Sequence, residues 1–230
     1  MEYILGGIKE ALKLILSLDT DIFSAVLLSL RVSVTATLFS SLVGVPLGFV
    51  IGGSEFWGKK VIITIFNTLL ALPTVVVGLL VYSFISRQGP LGPLGLLFTP
   101  NAMVIGQFIL ATPIIVALTI SATQGVDTRV RLTAMTLGAG PLQTALAILS
   151  EARFALMAAV IAGFGRVIAE VGCALMIGGN IRGYTRIMTT AIALETSKGE
   201  FGFGLALGFI LLTVAFSINI LFHYAQSKRG

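Results

Sequence analysis

The chain has 230 residues, 56% hydrophobic and 11% charged, with a mean hydropathy of +1.02 and a net charge of +5. Soluble domains carry about 25% charged residues, so a water-soluble globule of this length has no means of hiding so much apolar surface. The reading is an all-α polytopic membrane protein. The 15 Lys and Arg are spread along the chain, which excludes a nucleic-acid surface, and the positive balance suits anionic lipid headgroups or an anionic solute.

In chain order, Met1 to Asp21 carries Ile4, Leu5, Ile8, Leu12, Ile15 and Leu16 at helical spacing, with Glu2, Lys9, Glu10 and Lys13 between them. That pattern predicts an amphipathic helix in the membrane interface over 1–21. No small-residue cleavage site follows a basic start, which argues against a secretory signal. A membrane domain over 22–225 comes next, with five spans of roughly 20 apolar residues each. The first span runs Phe23–Gly52 and is followed by a polar break, Gly53–Lys60. The second covers Val61–Ile85, after which Arg87–Gly95 reads as turns. The third is Ala102–Ser121.

Thr123–Arg153 is a less apolar loop with Asp127, Arg129, Arg131, Glu151 and Arg153. The fourth span covers Phe154–Ile177. Gly178–Gly199 is polar enough to leave the hydrocarbon, with Ile187–Leu194 apolar enough to dip back. The last span, Phe201–Tyr224, carries the only histidine, His223, at its end and is closed by a basic tail over 226–230. Placing Lys59, Lys60, Arg129, Arg131, Arg153, Lys228 and Arg229 inside leaves Lys9, Lys13, Arg87, Arg182, Arg186 and Lys198 outside. That small excess assigns the 123–153 loop to the cytoplasm.

Gly53-Ser-Glu-Phe-Trp-Gly58-Lys59-Lys60 nearly matches the phosphate-binding pattern G-x-x-x-x-G-K-S/T. Lys60 replaces the hydroxyl that would ligate magnesium, and a membrane span rather than a strand precedes the loop. It reads as an inter-span loop. No hydrolase constellation or metal-ligand cluster is present, and the lone Cys173 in an apolar run reads as a small buried hydrophobe. Gly44/Gly48 and Gly204/Gly208 are spaced for close helix packing. Pro46, Pro73 and Pro113 interrupt spans, either as plain kinks or as breaks beside a pathway. Arg31, Arg166 and Glu170 are the ionisable residues deepest in apolar stretches. Arg166 and Glu170 stand four apart, as a structural ion pair or as a pathway element. Polarity at membrane depth makes Thr74, Arg166, Glu170 and Asn180 candidates for lining a translocation pathway.

The 123–153 loop reads as a helix, a glycine turn and a second short amphipathic helix leading back to the membrane, a form suited to docking in a partner's groove. Its run Leu132-Thr133-Ala134-Met135-Thr136-Leu137-Gly138, continued to Ile148, resembles the coupling loop of permease subunits of ATP-binding cassette (ABC) importers. Ala134, Gly138 and Ile148 match that pattern in register. Leu132 and Thr133 replace its Glu-Ala, and Ser150-Glu151 replaces its closing Leu-Pro. Phe164-Gly165-Arg166-Val167-Ile168-Ala169-Glu170-Val171-Gly172 and Gly178-Gly179-Asn180-Ile181 resemble the molybdate/tungstate/sulfate branch. The continuation Arg182 to Gly199 resembles its tungstate-specific members.

The resemblance implies a type I ABC importer transmembrane domain. It also implies a homodimer, two cytoplasmic ATPase subunits that bind ATP and Mg, and an extracytoplasmic tungstate or other oxyanion-binding protein. No cofactor would then be held by this chain, which is not itself an enzyme, and Thr133, Ala134, Gly138, Pro141 and Ile148 would form the coupling element. A molybdate or sulfate permease is the near alternative; an ATP-independent channel or membrane scaffold is the alternative of a different class.

Overall fold

The computed structural model describes residues 8, 9, 12, 13, 16, 17 and 19–227. Most of the expected interfacial helix over 1–21, and the tail beyond 227, lie outside the described residues. Among those residues the regular structure is helical: α1 Thr20–Gly53, α2 Lys59–Leu69, α3 Thr74–Ile85, a 3-10 turn Gly92–Leu94, α4 Pro100–Gln124, α5 Thr128–Thr136, α6 Pro141–Ile168, α7 Gly172–Gly178, α8 Met188–Lys198 and α9 Phe201–Ser227.

α1 starts behind Asp19, whose carboxylate accepts from the N–H groups of Asp21 and Ile22, satisfying donors that the first helical turn leaves open. Its glycines form a seam against α4. Gly44 packs on Ile115, Gly48 on Val116 and Thr119, and Gly52 on Ile120 and Thr123. Nearer its start, Ser40 Oγ donates to the Phe108 carbonyl at 3.2 Å. Contacts advance together along both helices, so α1 and α4 run in the same direction. The chain between them must therefore cross back once.

That return crossing is not the single helix expected over Val61–Ile85. It is α2 and α3, bent by 97°. Pro73 has no N–H and disfavours helical geometry at Leu72. α2 ends through short i→i+3 bonds, from the Leu70, Ala71 and Leu72 N–H groups to the carbonyls of Asn67, Thr68 and Leu69. Pro46 and Pro113, in contrast, sit inside continuous helices. α1, α4, α6 and α9 are each long and apolar enough to cross a membrane, and the bent pair, counted as one span, makes five.

The fourth span also differs from expectation. α6 is one 28-residue helix that begins at Pro141, far before Phe154, and stops at Ile168, short of Ile177. Pro141 is preorganised for the first helical position, and Gln143 Oε1 accepts from the Gly140 N–H at 2.8 Å. No separate short amphipathic helix follows the glycine turn; that stretch is the first part of α6. After a break at Ala169–Val171, α7 packs on α3, where a Cβ on Gly78 would lie 2.9 Å from Cys173 Cα.

α8 occupies much of the segment expected to leave the hydrocarbon. Its first turn is buried, with Met188 and Ala191 among Ile22, Ala25, Ala206 and Leu207 of α1 and α9. The Met188 N–H donates to Ser29 Oγ at 2.8 Å. Of Gly204 and Gly208, only the first packs closely, against α8. A Cβ on Gly204 would meet Thr196 Oγ1 at 3.1 Å and the Ile192 carbonyl at 4.0 Å, and one on Gly208 nothing within 4 Å.

Candidate functional site

Two places collect the residues singled out from the sequence. The first is the α5–α6 corner. Asp127 caps α5, accepting from the Arg129 N–H at 2.8 Å and from Arg129 Nε at 2.8 Å. The guanidinium bond first, and the backbone bond second, hold the Asp127 carboxyl below its ordinary value, so the cap stays ionised at neutral pH. α5 closes through Ala139 N–H to the Ala134 carbonyl and Gly138 N–H to the Met135 carbonyl, both 3.0 Å. Gly138 has φ +82, a left-handed conformation natural only to glycine.

This corner divides the predicted coupling residues into two sets. Pro141 and Ile148, with Arg131, Met135 and Thr144, line a cavity of about 340 Å³ against Val50 and Ser54 at the end of α1. Thr144 is buried and Ile148 half-buried there, while Arg131, Met135 and Pro141 stay exposed at the cavity mouth. Thr133 and Gly138 lie on the open side, and Ala134 is half-buried between. The open side carries leucines: Leu137 is 82% exposed and Leu142 74%, with Leu132 and Leu146 also exposed. The sequence reading chose the residues of the motif and missed these knobs. Their signal was leucine recurring on both sides of a glycine turn.

The second place is the break between α6 and α7. Glu170, 2% exposed, pairs with Arg166, Nη1 to Oε2 at 3.1 Å. Its other oxygen accepts from the Cys173 N–H at 3.0 Å, capping α7. Its carbonyl accepts from Thr189 Oγ1 at 2.7 Å. The next residue of α8, Thr190, offers its carbonyl to Asn180, whose Nδ2 donates to it at 3.3 Å. Thr74 joins from α3: a Cβ on Gly172 would lie 3.0 Å from its Oγ1.

The four pathway candidates thus share one neighbourhood, but not one role. Glu170 faces protein, whereas Arg166 keeps 40% of its side chain exposed. Asn180 holds a left-handed backbone, φ 51, of the kind concentrated at functional sites. Arg31 is exposed on α1 and has no ion pair among the described residues.

Two further features escaped the sequence reading. α6 exposes Ala155, Ala158, Ala162 and Gly165 along one face, where a lipid-facing helix would carry bulky side chains. Gln107 is buried in α4 with neither amide atom bonded to a described residue. Both were visible as a small-residue period and as the one carboxamide in an apolar run. Among the described residues no group of three His, Cys, Asp or Glu could hold a metal.

Residues 44–229 match the family model of the binding-protein-dependent transport system inner membrane component. The tungstate uptake system permease protein TupB of Peptoclostridium acidaminophilum is 39% identical over 99% of this chain and 100% of its own length. TupB of Campylobacter jejuni is 44% identical over 97% of this chain and 93% of its own. Among solved structures, an inward-facing form of the MetNI methionine ABC transporter superposes with a TM-score of 0.74. It is 16% identical and covers 91% of this chain and 96% of that one.

Proposed function

The chain belongs to the binding-protein-dependent transport system inner membrane components, and from that premise we propose that it imports tungstate as the permease subunit of an ATP-driven complex. Near-complete coverage by two tungstate permeases at 39% and 44% identity is the observation that carries the solute. In this reading two copies form the translocation unit, two ATPase subunits bind ATP and Mg on the side of α5, and an extracytoplasmic protein delivers the oxyanion. The permease hydrolyses nothing and holds no cofactor of its own. Its task is mechanical: closure of the ATPases must move α5 and, through the single long α6, the Arg166–Glu170 break at its far end. A helix that is continuous from corner to break suits that task, because it transmits displacement without an intervening hinge.

The exposed leucines support docking of a protein partner, since 82% and 74% exposure of Leu137 and Leu142 is unfavourable in water and suits an apolar groove. Replacing both by Asp is expected to reduce co-purification of the ATPase subunits at least tenfold, while the permease still inserts and elutes as a folded species. Undiminished ATPase recovery with that variant would sink the docking assignment. Competition between tungstate and molybdate for uptake by the assembled complex tests the solute, and equal transport of the two would remove the preference for tungstate.

The second copy is supported by the small-residue face of α6, which allows close helix approach in a bilayer. Leucine at both Ala158 and Ala162 should shift the purified permease from dimer to monomer, read by mass in detergent. A dimer that survives both substitutions places the contact elsewhere.

A further inference from the structure

The loop that nearly matches a phosphate-binding pattern remains unexplained by transport. Lys59, where a nucleotide loop would direct its ammonium at phosphate, instead folds back. Its Nζ donates to the Gly52 carbonyl at 3.1 Å and pairs with Glu55 Oε1 at 2.8 Å. Gly58, at φ +88, starts α2 directly, and no strand leads in. The geometry therefore offers nothing to a triphosphate.

It does offer something to a membrane. The loop joins the end of α1 to the start of α2 beside the end of α4, where Gly52 meets Thr123 and Gln124 lines the same cavity; three span ends at one level mark the border of the hydrocarbon. That cavity, about 950 Å³, is lined by Phe56, Trp57, Lys60, Val61 and the Lys59–Glu55 pair. Trp57 is 100% exposed. A bare indole is costly in water but favourable at headgroup depth, where its ring meets acyl chains and its N–H meets polar groups. Lys59 and Glu55 cancel, which leaves Lys60, exposed and without an acidic partner among the described residues, as the net charge of the cavity.

We propose that this corner binds the phosphate of an anionic lipid headgroup, with Lys60 as the cation and Trp57 and Phe56 as the apolar platform for the adjoining acyl chain. The occupant is anionic rather than zwitterionic because one positive charge is uncompensated. It is a lipid rather than a soluble phosphate because the remaining lining is apolar, Phe56, Val61, Ile62 and Ile63 standing beside the bare indole. The inference goes beyond the transport reading and stands whichever solute is carried.

Trp57 is the only tryptophan of the chain, so its emission reports this corner alone. The full-length permease is reconstituted in phosphatidylcholine vesicles with a minor fraction of brominated phosphatidylglycerol or, separately, the same fraction of brominated phosphatidylcholine. Enrichment by one basic residue near a surface is worth about fivefold in local anionic lipid. Quenching by the brominated anionic lipid should therefore exceed that by the zwitterionic one several-fold. Lys60→Gln and Lys60→Glu should abolish the difference, and Lys60→Arg should keep it. Equal quenching by both lipids, or a difference that Lys60→Glu leaves intact, overturns the proposal. Relief of the quenching by excess inorganic phosphate reassigns the site to a soluble anion and overturns it too. An emission insensitive to either lipid and also shielded from aqueous iodide means a protein covers the corner, which is a third disproof.

Discussion

Replacing Glu170 by Ala is expected to destabilise the folded permease by about 1–3 kcal/mol, the range for leaving a buried hydrogen-bonding group without its partner. Three groups lose their support at once. Arg166 keeps its charge without its partner at 3.1 Å. The Cys173 N–H at the start of α7 loses its acceptor. The region around the Glu170 carbonyl, which Thr189 ties to α8, loses the side chain that fixes its orientation. Glu170→Gln keeps an oxygen for Cys173 and forfeits only the charge, so its midpoint in a detergent thermal melt should fall between those of wild type and Glu170→Ala. Arg166→Met should cost at least as much as Glu170→Ala, because it leaves the Glu170 carboxylate, 2% exposed, buried without its cation. An unchanged melting midpoint for Glu170→Ala would show that the pair contributes nothing to the fold. Uptake then separates the two readings of Arg166: a stable Arg166→Met permease with normal ATPase recovery and lost transport marks it as a pathway group.

The same neighbourhood shows how far the sequence carries. Hydropathy located the long apolar runs because spans of about 20 residues leave a signal that tertiary context rarely overrides. Pro73 was visible as a breaker, and there the chain turns by 97°. The break after Ile168 carries no such mark. Ala169, Glu170 and Val171 contain neither proline nor glycine, and hydropathy runs on through them. What stops α6 is tertiary: the Glu170 side chain serves the next helix while its carbonyl is taken by Thr189. A bond between residues nineteen apart has no local signature.

The coupling corner reads the other way. Gly138 announced the turn, yet the start of α6 at Pro141 was read as a separate element, because the chain changes from amphipathic to apolar without a break in the helix. Motif register likewise picked out Ile148, but register does not say which face a residue takes; Ile148 is half-buried and lines the cavity against α1, with Pro141 exposed at its mouth. Of the outward leucines only Leu132 falls on a motif position, and their shared face emerged from exposure.

Along the α1–α4 seam the expected order of damage is set by what each new methyl group would strike. A Cβ at Gly48 would lie 2.7 Å from both Thr119 Cβ and the Val116 carbonyl oxygen. One neighbour is backbone and the other a branch point beside backbone, so neither yields without moving α4. A Cβ at Gly44 would lie 3.0 Å from Ile115 Cγ2 and 3.2 Å from Ile115 Cβ, so a side chain must give by a few tenths of an ångström while the backbone stays in place. At Gly53 the nearest atom is Thr123 Cγ2 at 3.7 Å, ordinary contact. Overpacking costs about 1–3 kcal/mol per site where side chains adjust, and Gly48→Val should reach or pass the upper end because the helices must separate. Separation would also stretch the Ser40–Phe108 bond of 3.2 Å two turns away, so the cost spreads along the seam. Gly53→Ala should be neutral or slightly stabilising, since alanine favours helix over glycine by about 1 kcal/mol. Thermal melts of Gly53→Ala, Gly44→Ala, Gly48→Ala and Gly48→Val should therefore fall in that order. Equal midpoints for Gly48→Val and Gly53→Ala would mean that α1 and α4 do not meet along this face. The argument for the α2–α3 return crossing would fail with it, because their shared direction is read from these contacts.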